Sequence, residues 1–277
     1  MGNQLDNLLT VVIPVKNEEK NLPACLDNVK AIKNVVVVDS GSTDRTLEIA
    51  ARHNREVVQF EWNGEFPKKR NWVLRNYKFK TQWVFFLDAD EFPKEDFWAE
   101  LAQVLPVTEC VGFWVGYDVW FLGRILRHGV HARKTAIVKI GYGEYEKIDE
   151  QRWSKLDMEI HEHLIFNGPV GVVKARVEHH DKKPLTAYYD RHNAYSSWEA
   201  ERFQKITDSS ILTFKQRVKY FFIRSKVYPV FYFFAFYILK LGFLDGQPGF
   251  FFAIGKLCQL YHIRAKVYEV EHRDEFD

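Results

Sequence analysis

Two carboxylates one residue apart, Asp88 and Asp90, follow directly on the apolar run Trp83-Val-Phe-Phe-Leu87. A strand ending there sends both side chains to one side, because successive side chains alternate across a strand. Open α/β sheets bind ligands at the carboxyl ends of their strands. Oxygen ligands with no cysteine or histidine beside them suit Mg²⁺ or Mn²⁺ better than Zn²⁺. Such an ion keeps positions for water and for the phosphates of a nucleotide, which makes Asp-Ala-Asp a candidate diphosphate holder. A solvated acidic turn is the plain alternative.

Two further turns belong to the same edge. The first strand runs into Pro14-Val-Lys-Asn-Glu18 and the second into Asp39-Ser-Gly-Ser-Thr-Asp44. Asp39, at a strand end, can accept from a base N–H or a ribose hydroxyl. Gly41 permits a tight turn. Thr43 and Asp44 read as caps of the following helix, with Thr43 or Ser42 as its N-cap. The first crossover has no glycine-rich dinucleotide fingerprint, which argues against a nicotinamide or flavin site. The basic stretch Arg124, Arg127, His128, His131, Arg133 and Lys134 is either a solvated loop or a contact for an anionic acceptor or a diphosphate.

The elements that must position these groups alternate. Leu8–Ile13, Val35–Val38, Val57–Phe60 and Trp83–Leu87 read as short buried strands. Helical patterns lie between and after them at about 18–30, 44–53, 68–76 and 94–105, the last opening on Pro93 as a first-turn residue. This order implies a mainly parallel sheet with right-handed crossovers. After Pro106 the pattern changes to strands at Val111–Phe121, Ala136–Ile140 and Gly171–Val177, with 141–160 mostly polar loop, so the second half of the sheet should be mixed. Residues 1–205 read as one α/β domain and 206–277 as a helical appendage.

The chain has 277 residues, 47% hydrophobic and 16% aromatic, with a net charge of +2. A near-neutral balance argues against a nucleic-acid binder. Cys25, Cys110 and Cys258 are far apart, which fits a reducing compartment and not a disulfide framework. The polar start Met-Gly-Asn-Gln-Leu-Asp does not read as a signal peptide, and Asp6 discourages myristoylation at Gly2. Val227–Leu239 carries no charge, yet a helix of that length spans only about 20 Å of a hydrocarbon core about 30 Å thick. Lys215, Arg217, Lys219, Arg224 and Lys226 precede it and Lys240 follows. That pattern suits an interfacial helix at an anionic leaflet, the alternative being a helix buried on the catalytic domain or on a second subunit.

Taken together and in this order, Val11-Val-Ile-Pro-Val-Lys-Asn-Glu18, Val35-Val-Val-Val-Asp-Ser-Gly-Ser-Thr-Asp44, Lys69-Arg-Asn71 and Phe85-Phe-Leu-Asp-Ala-Asp-Glu91 resemble the GT-A glycosyltransferases of family 2. The resemblance covers roughly 8–190. Phe121-Leu-Gly-Arg-Ile-Leu-Arg-His-Gly129, Ile160-His-Glu-His-Leu164 and Gly242-Phe-Leu-Asp-Gly246 are similar to later features of bacterial lipopolysaccharide-core β-glucosyltransferases.

The resemblance implies a nucleotide site at Pro14, Val15, Asn17, Glu18, Asp39, Arg70 and Asp88. Asp39 would read the base, usually uracil, and Arg70 would reach the donor. Lys16 stands where many relatives stack an aromatic on the base. Asp90 would ligate Mn²⁺ or Mg²⁺, with Asp88 contacting the ribose or a metal-bound water. His179 or His180 would complete the metal shell, and His179 fits the family pattern better. Glu91 is placed to orient the following loop. Inverting transfer needs a base on the acceptor hydroxyl. Glu162 is the first candidate and Glu159 the second, since a closed site can raise a carboxylate's pKa. His161 and His163 would position the base or bind acceptor hydroxyls. These two histidines lie two apart, which is wrong for the helical zinc motif, while a structural hydrogen-bonded cluster stays open. Arg124, Arg127 and His163 are the candidate acceptor or phosphate contacts.

The reading is therefore a metal-dependent inverting transferase. It would move sugar from a nucleoside-diphosphate donor, UDP-sugar first, to a lipid-linked or lipopolysaccharide-type glycan, on the cytoplasmic face of the membrane. A catalytically dead sugar-nucleotide binder is the non-enzymatic alternative. A sugar nucleotidyltransferase is disfavoured because Pro14-Val-Lys-Asn-Glu18 lacks a glycine-rich basic loop.

Overall fold

The computed structural model describes residues 2–147, 157, 163–205, 214–223 and 225–272. The chain forms two compact units, Met1–Trp120 with His131–Lys182, and Phe121–Val130 with Lys183–Asp277.

The first unit alternates helix and strand: α1 (Gly2–Leu5), β1 (Leu9–Val15), α2 (Leu22–Asn28), β2 (Val35–Asp39), α3 (Thr46–Arg52), β3 (Glu56–Gln59), α4 (Lys69–Asn76) and β4 (Trp83–Phe86). β5 (Glu91–Pro93), α5 (Glu95–Val104) and β6 (Gly112–Phe121) follow; β7 (Arg124–Leu126) lies in the other unit. β8 (Ala132–Lys139), β9 (Gly143–Tyr145), β10 (Leu164–Phe166) and β11 (Val170–His179) complete the first unit. Its main sheet runs β3-β2-β1-β4-β8-β6-β11-β5. β3, β2, β1 and β4 are parallel, β8 is antiparallel to both neighbours, and β11 is parallel to β6 but antiparallel to β5. This is the mixed, mainly parallel α/β sheet that the sequence calls for. β9 and β10 form a separate antiparallel pair.

Strand alternation divides the core between the two faces. Val11, Ile13, Val35, Val37 and Phe85 pack with α2, α3 and α5, while Val12, Val36, Val38, Val84 and Phe86 face the α4 side. With both faces covered, the central parallel strands β1, β2 and β4 are mostly apolar instead of alternating, whereas the edge strand β3 is Glu-Val-Val-Gln with exposed ends. Pro93 departs from its expected place. It ends β5, opposite Val177 of β11, and α5 begins at Glu95. β8 is longer than its apolar half, because Ala132–Thr135 also pair with β6.

The second unit holds α6 (Leu185–Lys205), α7 (Phe214–Ile223), α8 (Tyr228–Phe234), a π-helical turn Ala235–Leu239, a 3-10 turn Gly242–Asp245 and α9 (Gly246–Glu271). Ala200, Tyr220, Ile223, Ile263 and Val267 join α6, α7 and α9 in one cluster. The unit boundary consequently falls at 182/183 and not at 205, because the buried face of α6 is matched to α9. Phe121 and Leu126 pack with Phe236, Phe252 and Ala253, which draws segment 121–130 into this unit.

Close backbone approach shapes the turn before α9. A Cβ on Gly249 would lie 2.3 Å from the Gly242 carbonyl oxygen and 2.8 Å from the Asp245 Cβ. Backbone cannot move aside as a flexible side chain can. Gly249→Ala should therefore destabilise the chain by about 2–3 kcal/mol, the upper range of overpacking costs. Urea unfolding of the full chain measures this, and an unchanged midpoint would contradict that packing.

Candidate active site

Every group of this site lies in the first unit, at the carboxyl ends of β1, β2 and β4 and on the elements beside them. The turn after β4 is closed by Glu91, whose Oε2 accepts the Asp88 amide at 3.1 Å. The carboxylate thus reaches back to the turn before it, whereas the sequence points it toward the loop that follows. Lys134 of β8 reaches the same turn and donates to Asp88 Oδ2 at 2.5 Å and to Glu91 Oε1 at 2.7 Å. Arg70, in the first turn of α4, donates to the other Asp88 oxygen at 2.6 Å. Both Asp88 oxygens are thus held by cations.

The electrostatics follow from this arrangement. Burial alone would raise the Asp88 pKa, but Lys134 and Arg70 overwhelm it and hold the carboxyl well below the usual range. Glu91 is 2% exposed. Burial, with Asp88 and Asp90 adding, pushes its pKa up to about 7 in spite of Lys134. Burial works against the Lys134 ammonium, yet Asp88 and Glu91 keep its pKa well above the ordinary lysine value. The Tyr117 ring lies 5.2 Å from the Lys134 ammonium. Its buried hydroxyl has no hydrogen-bond partner among the described residues.

Asp90 is placed differently. Its Oδ2 meets the His179 Nε2 at 3.2 Å. The register explains why: His179 stands opposite Glu91 across β11 and β5. Burial opposes the imidazolium, but Asp90 outweighs it and pushes the His179 pKa up to about 9. His180 turns away. Its backbone amide donates to the Asp90 carbonyl at 2.8 Å, while its ring stacks on Trp120 at 4.8 Å.

Among the described residues no cluster of three or more histidine, cysteine or acidic side chains is placed to hold a metal. The Asp90–His179 pair is nonetheless a fitting donor set for a hard divalent ion, which takes one or two protein ligands and completes its shell with phosphate oxygens and water. Of the four expected metal residues, Asp90 and His179 meet. Asp88 is committed to Lys134 and Arg70, and His180 to Trp120.

The nucleotide candidates line the first two turns. Pro14 and Val15 end β1 and are buried. Asn17 adopts φ 56° and accepts the Thr43 amide at 2.8 Å, while its own amide donates to Ser42 Oγ. The Glu18 amide donates to Thr46 Oγ1, and its carboxylate accepts from Asn21 at 2.9 Å. Asp39 is fully buried and accepts from the Gly41 amide, the Ser42 amide and the Ser42 hydroxyl. In this conformation its carboxylate closes its own turn, so a base contact requires that turn to open. Arg45 holds the N-cap position of α3 without a side-chain cap; Asp44, one residue earlier, accepts the Thr46 amide, whereas Ser42 and Thr43 serve Asp39 and Asn17.

Sequence reasoning missed three supports. Lys69 is buried, donates to the Val15 carbonyl at 2.9 Å and pairs with Asp157 at 3.4 Å. Asp157 also accepts from Ser40. Burial lowers the Lys69 pKa despite Asp157, which in turn is held low chiefly by Lys69 against its own burial. Asn71 clamps the Tyr145 backbone through both amide atoms, at 2.9 and 2.8 Å. Lys134 belongs to the basic stretch in the sequence, flanked by Arg133 and Thr135 and just ahead of the apolar run Ala136–Val138, so nothing there marks its role. His163 is exposed, one residue before β10. Glu159, His161 and Glu162 lie outside the described residues. Arg124 and Arg127 belong to the second unit.

A model described as glycosyl transferase family 2 matches residues 10–168, more than half of the chain. The chain belongs to glycosyltransferase family 2. An uncharacterized glycosyltransferase of Rickettsia typhi is 22% identical over 267 residues, which cover 92% of this chain and 86% of the relative. The SPbeta prophage-derived glycosyltransferase SunS of Bacillus subtilis is 33% identical over 104 residues, 36% of this chain. That match covers 24% of SunS, so the chain spans about a quarter of that relative's length. Glucosyl-3-phosphoglycerate synthase of Mycobacterium tuberculosis, solved with Mn²⁺, UDP and glucosyl-3-phosphoglycerate, overlaps 43% of this chain and 47% of that one, at 23% identity and a TM-score of 0.34.

Proposed function

We propose that this family 2 member is a metal-dependent, inverting hexosyltransferase that uses a nucleoside-diphosphate sugar, with UDP-sugar first. Its acceptor would be a hydroxyl of a lipid-linked or lipopolysaccharide-type glycan at the inner face of the cytoplasmic membrane. The observation that carries the reading is the division of labour at the end of β4. Asp88 is fixed by Arg70, Lys134 and the Glu91 turn, while Asp90 is left facing His179.

Asp90 and His179 would hold Mn²⁺ or Mg²⁺ against the donor diphosphate. When bound, the ion neutralises charge developing on the leaving diphosphate. Pro14 and Val15 would line the base pocket, with Asn17, Glu18 and Asp39 shaping its turns. Arg70 would donate to the donor from α4. Glu162 would take the acceptor proton as the hydroxyl attacks the anomeric carbon from the face opposite the leaving group. Glu159, His161 and His163 would orient base and acceptor.

The test is transfer of labelled sugar from a panel of nucleotide sugars to lipid-linked glycans with Mn²⁺ present, followed by assignment of the product's anomeric configuration. Transfer with inversion supports the reading. Retention refutes the mechanism. Nucleotide binding with no transfer to any acceptor favours the dead-site alternative.

A further inference from the structure

The second unit carries a surface that the transferase chemistry does not use. Helices Tyr228–Leu239 and Gly242–Glu271 are apolar enough together for a membrane, but they are bent by 71° at the break between them. No single described helix is long and apolar enough to cross a bilayer. The bend is built in. Leu241 sits at φ 59°, and the Cβ position of Gly242 lies 2.9 Å from the Phe236 carbonyl oxygen. Asp245 then latches the bend to segment 121–130, accepting the Arg127 amide at 3.0 Å and the His128 amide at 2.9 Å. The Gly129 amide donates to the Lys240 carbonyl at 2.9 Å, and Arg124 to the Asp245 carbonyl at 3.2 Å.

The bend presents large apolar groups outward. Leu239 is 78% exposed and Phe231 70%, with Leu241, Phe243, Leu244 and Phe251 exposed beside them. Arg124, Arg127 and Lys240 are exposed next to this tip. Asp245 is the single acidic residue between Ser225 and Tyr268, and it is buried in its latch. A tip with apolar side chains, a basic collar and no exposed acid suits one leaflet of an anionic bilayer. A second copy suits it less, because a two-fold contact across this face would bring like-charged collars together.

We infer that the bent α8–α9 pair is a wedge that enters one leaflet at Leu239–Leu244, with Arg127 and Lys240 reading the phosphates of anionic lipids. This differs from a straight helix lying in the interface, since the bend tip does the inserting. The inference rests on the proposed membrane-borne acceptor for its purpose, but it is testable without any sugar donor.

The experiment is co-sedimentation of the full chain with vesicles of phosphatidylcholine, alone or mixed with phosphatidylglycerol. Leu239→Asp with Leu244→Asp should lower partitioning at least tenfold, as expected for removing two buried leucines. Arg127→Gln with Lys240→Gln should lose about fivefold per residue on anionic vesicles and nothing on neutral ones. Both pairs replace exposed side chains, and an unchanged thermal melt confirms folding. Wild type left in the supernatant with both vesicles, or tip variants binding like wild type, would overturn the wedge. So would a wild-type dimer that ignores vesicles and falls to monomer in the tip variant. UDP binding with Mn²⁺ on the same preparations separates the two readings. Nucleotide binding without vesicle binding removes the wedge alone; vesicle binding without nucleotide binding keeps the wedge and removes the donor site.

Discussion

Lys134→Met should cost the chain about 2–3 kcal/mol of stability and at least 100-fold in transfer. Removing one member of a buried ion pair typically costs about 3–5 kcal/mol, because it strands the other charge. The lower figure applies because the Lys134 side chain is 33% exposed and partly screened by water. The stranded groups here are two carboxylates, Asp88 and Glu91, which share that ammonium at 2.5 and 2.7 Å. Without it, Asp88 keeps only Arg70, and the turn that presents Asp90 loses its central cation. Lys134→Arg should restore part of both losses. Urea unfolding and UDP affinity measured side by side check this. A variant with wild-type stability and wild-type UDP affinity would show that the cluster is not coupled to the donor site.

Glu162→Gln should reduce kcat by about 10²–10⁴ with little change in donor affinity, the usual range for losing a general base. The amide keeps the shape and one acceptor but cannot take the proton. The proposed donor site is built from groups at the β1, β2 and β4 ends, so the loss should appear in kcat. Single-turnover rates with saturating donor measure it directly. Normal turnover in Glu162→Gln together with loss in Glu159→Gln would move the base to the second candidate. Normal turnover in both would remove the base from this segment.

The elements that hold the site were legible because they are the most buried. β2 and β4 open as apolar runs, β1 is broken only by the buried Thr10, and each leads into the polar turn that reaches the site. The direction in which Glu91 acts was not legible, since its carboxylate reaches back to the Asp88 amide and the sequence points it toward the following loop. Nor was the role of Lys134, because its partners come from a strand some 45 residues earlier. Only the β4–β8 pairing brings them together. The commitment of Asp39 to Gly41 and Ser42 was hidden for a different reason. Asp-Ser-Gly-Ser is equally a ligand turn and a self-capped one until the backbone is seen. Segment 121–130 reads as a basic loop by composition, and its ties to Asp245 span more than a hundred residues.

The proposed donor and metal site is tested most directly by a thermal-shift panel of UDP, GDP, CDP, ADP and dTDP, each with and without Mn²⁺, on wild type and Asp90→Asn. A ligand at 100 times its dissociation constant stabilises a fold by about 2.7 kcal/mol, which is readily read as a shift. A Mn²⁺-dependent shift is expected with one diphosphate, UDP first, and it should disappear in Asp90→Asn when each protein is read against its own ligand-free melt. An equal shift in wild type and Asp90→Asn, or no shift with any nucleotide, would contradict that site.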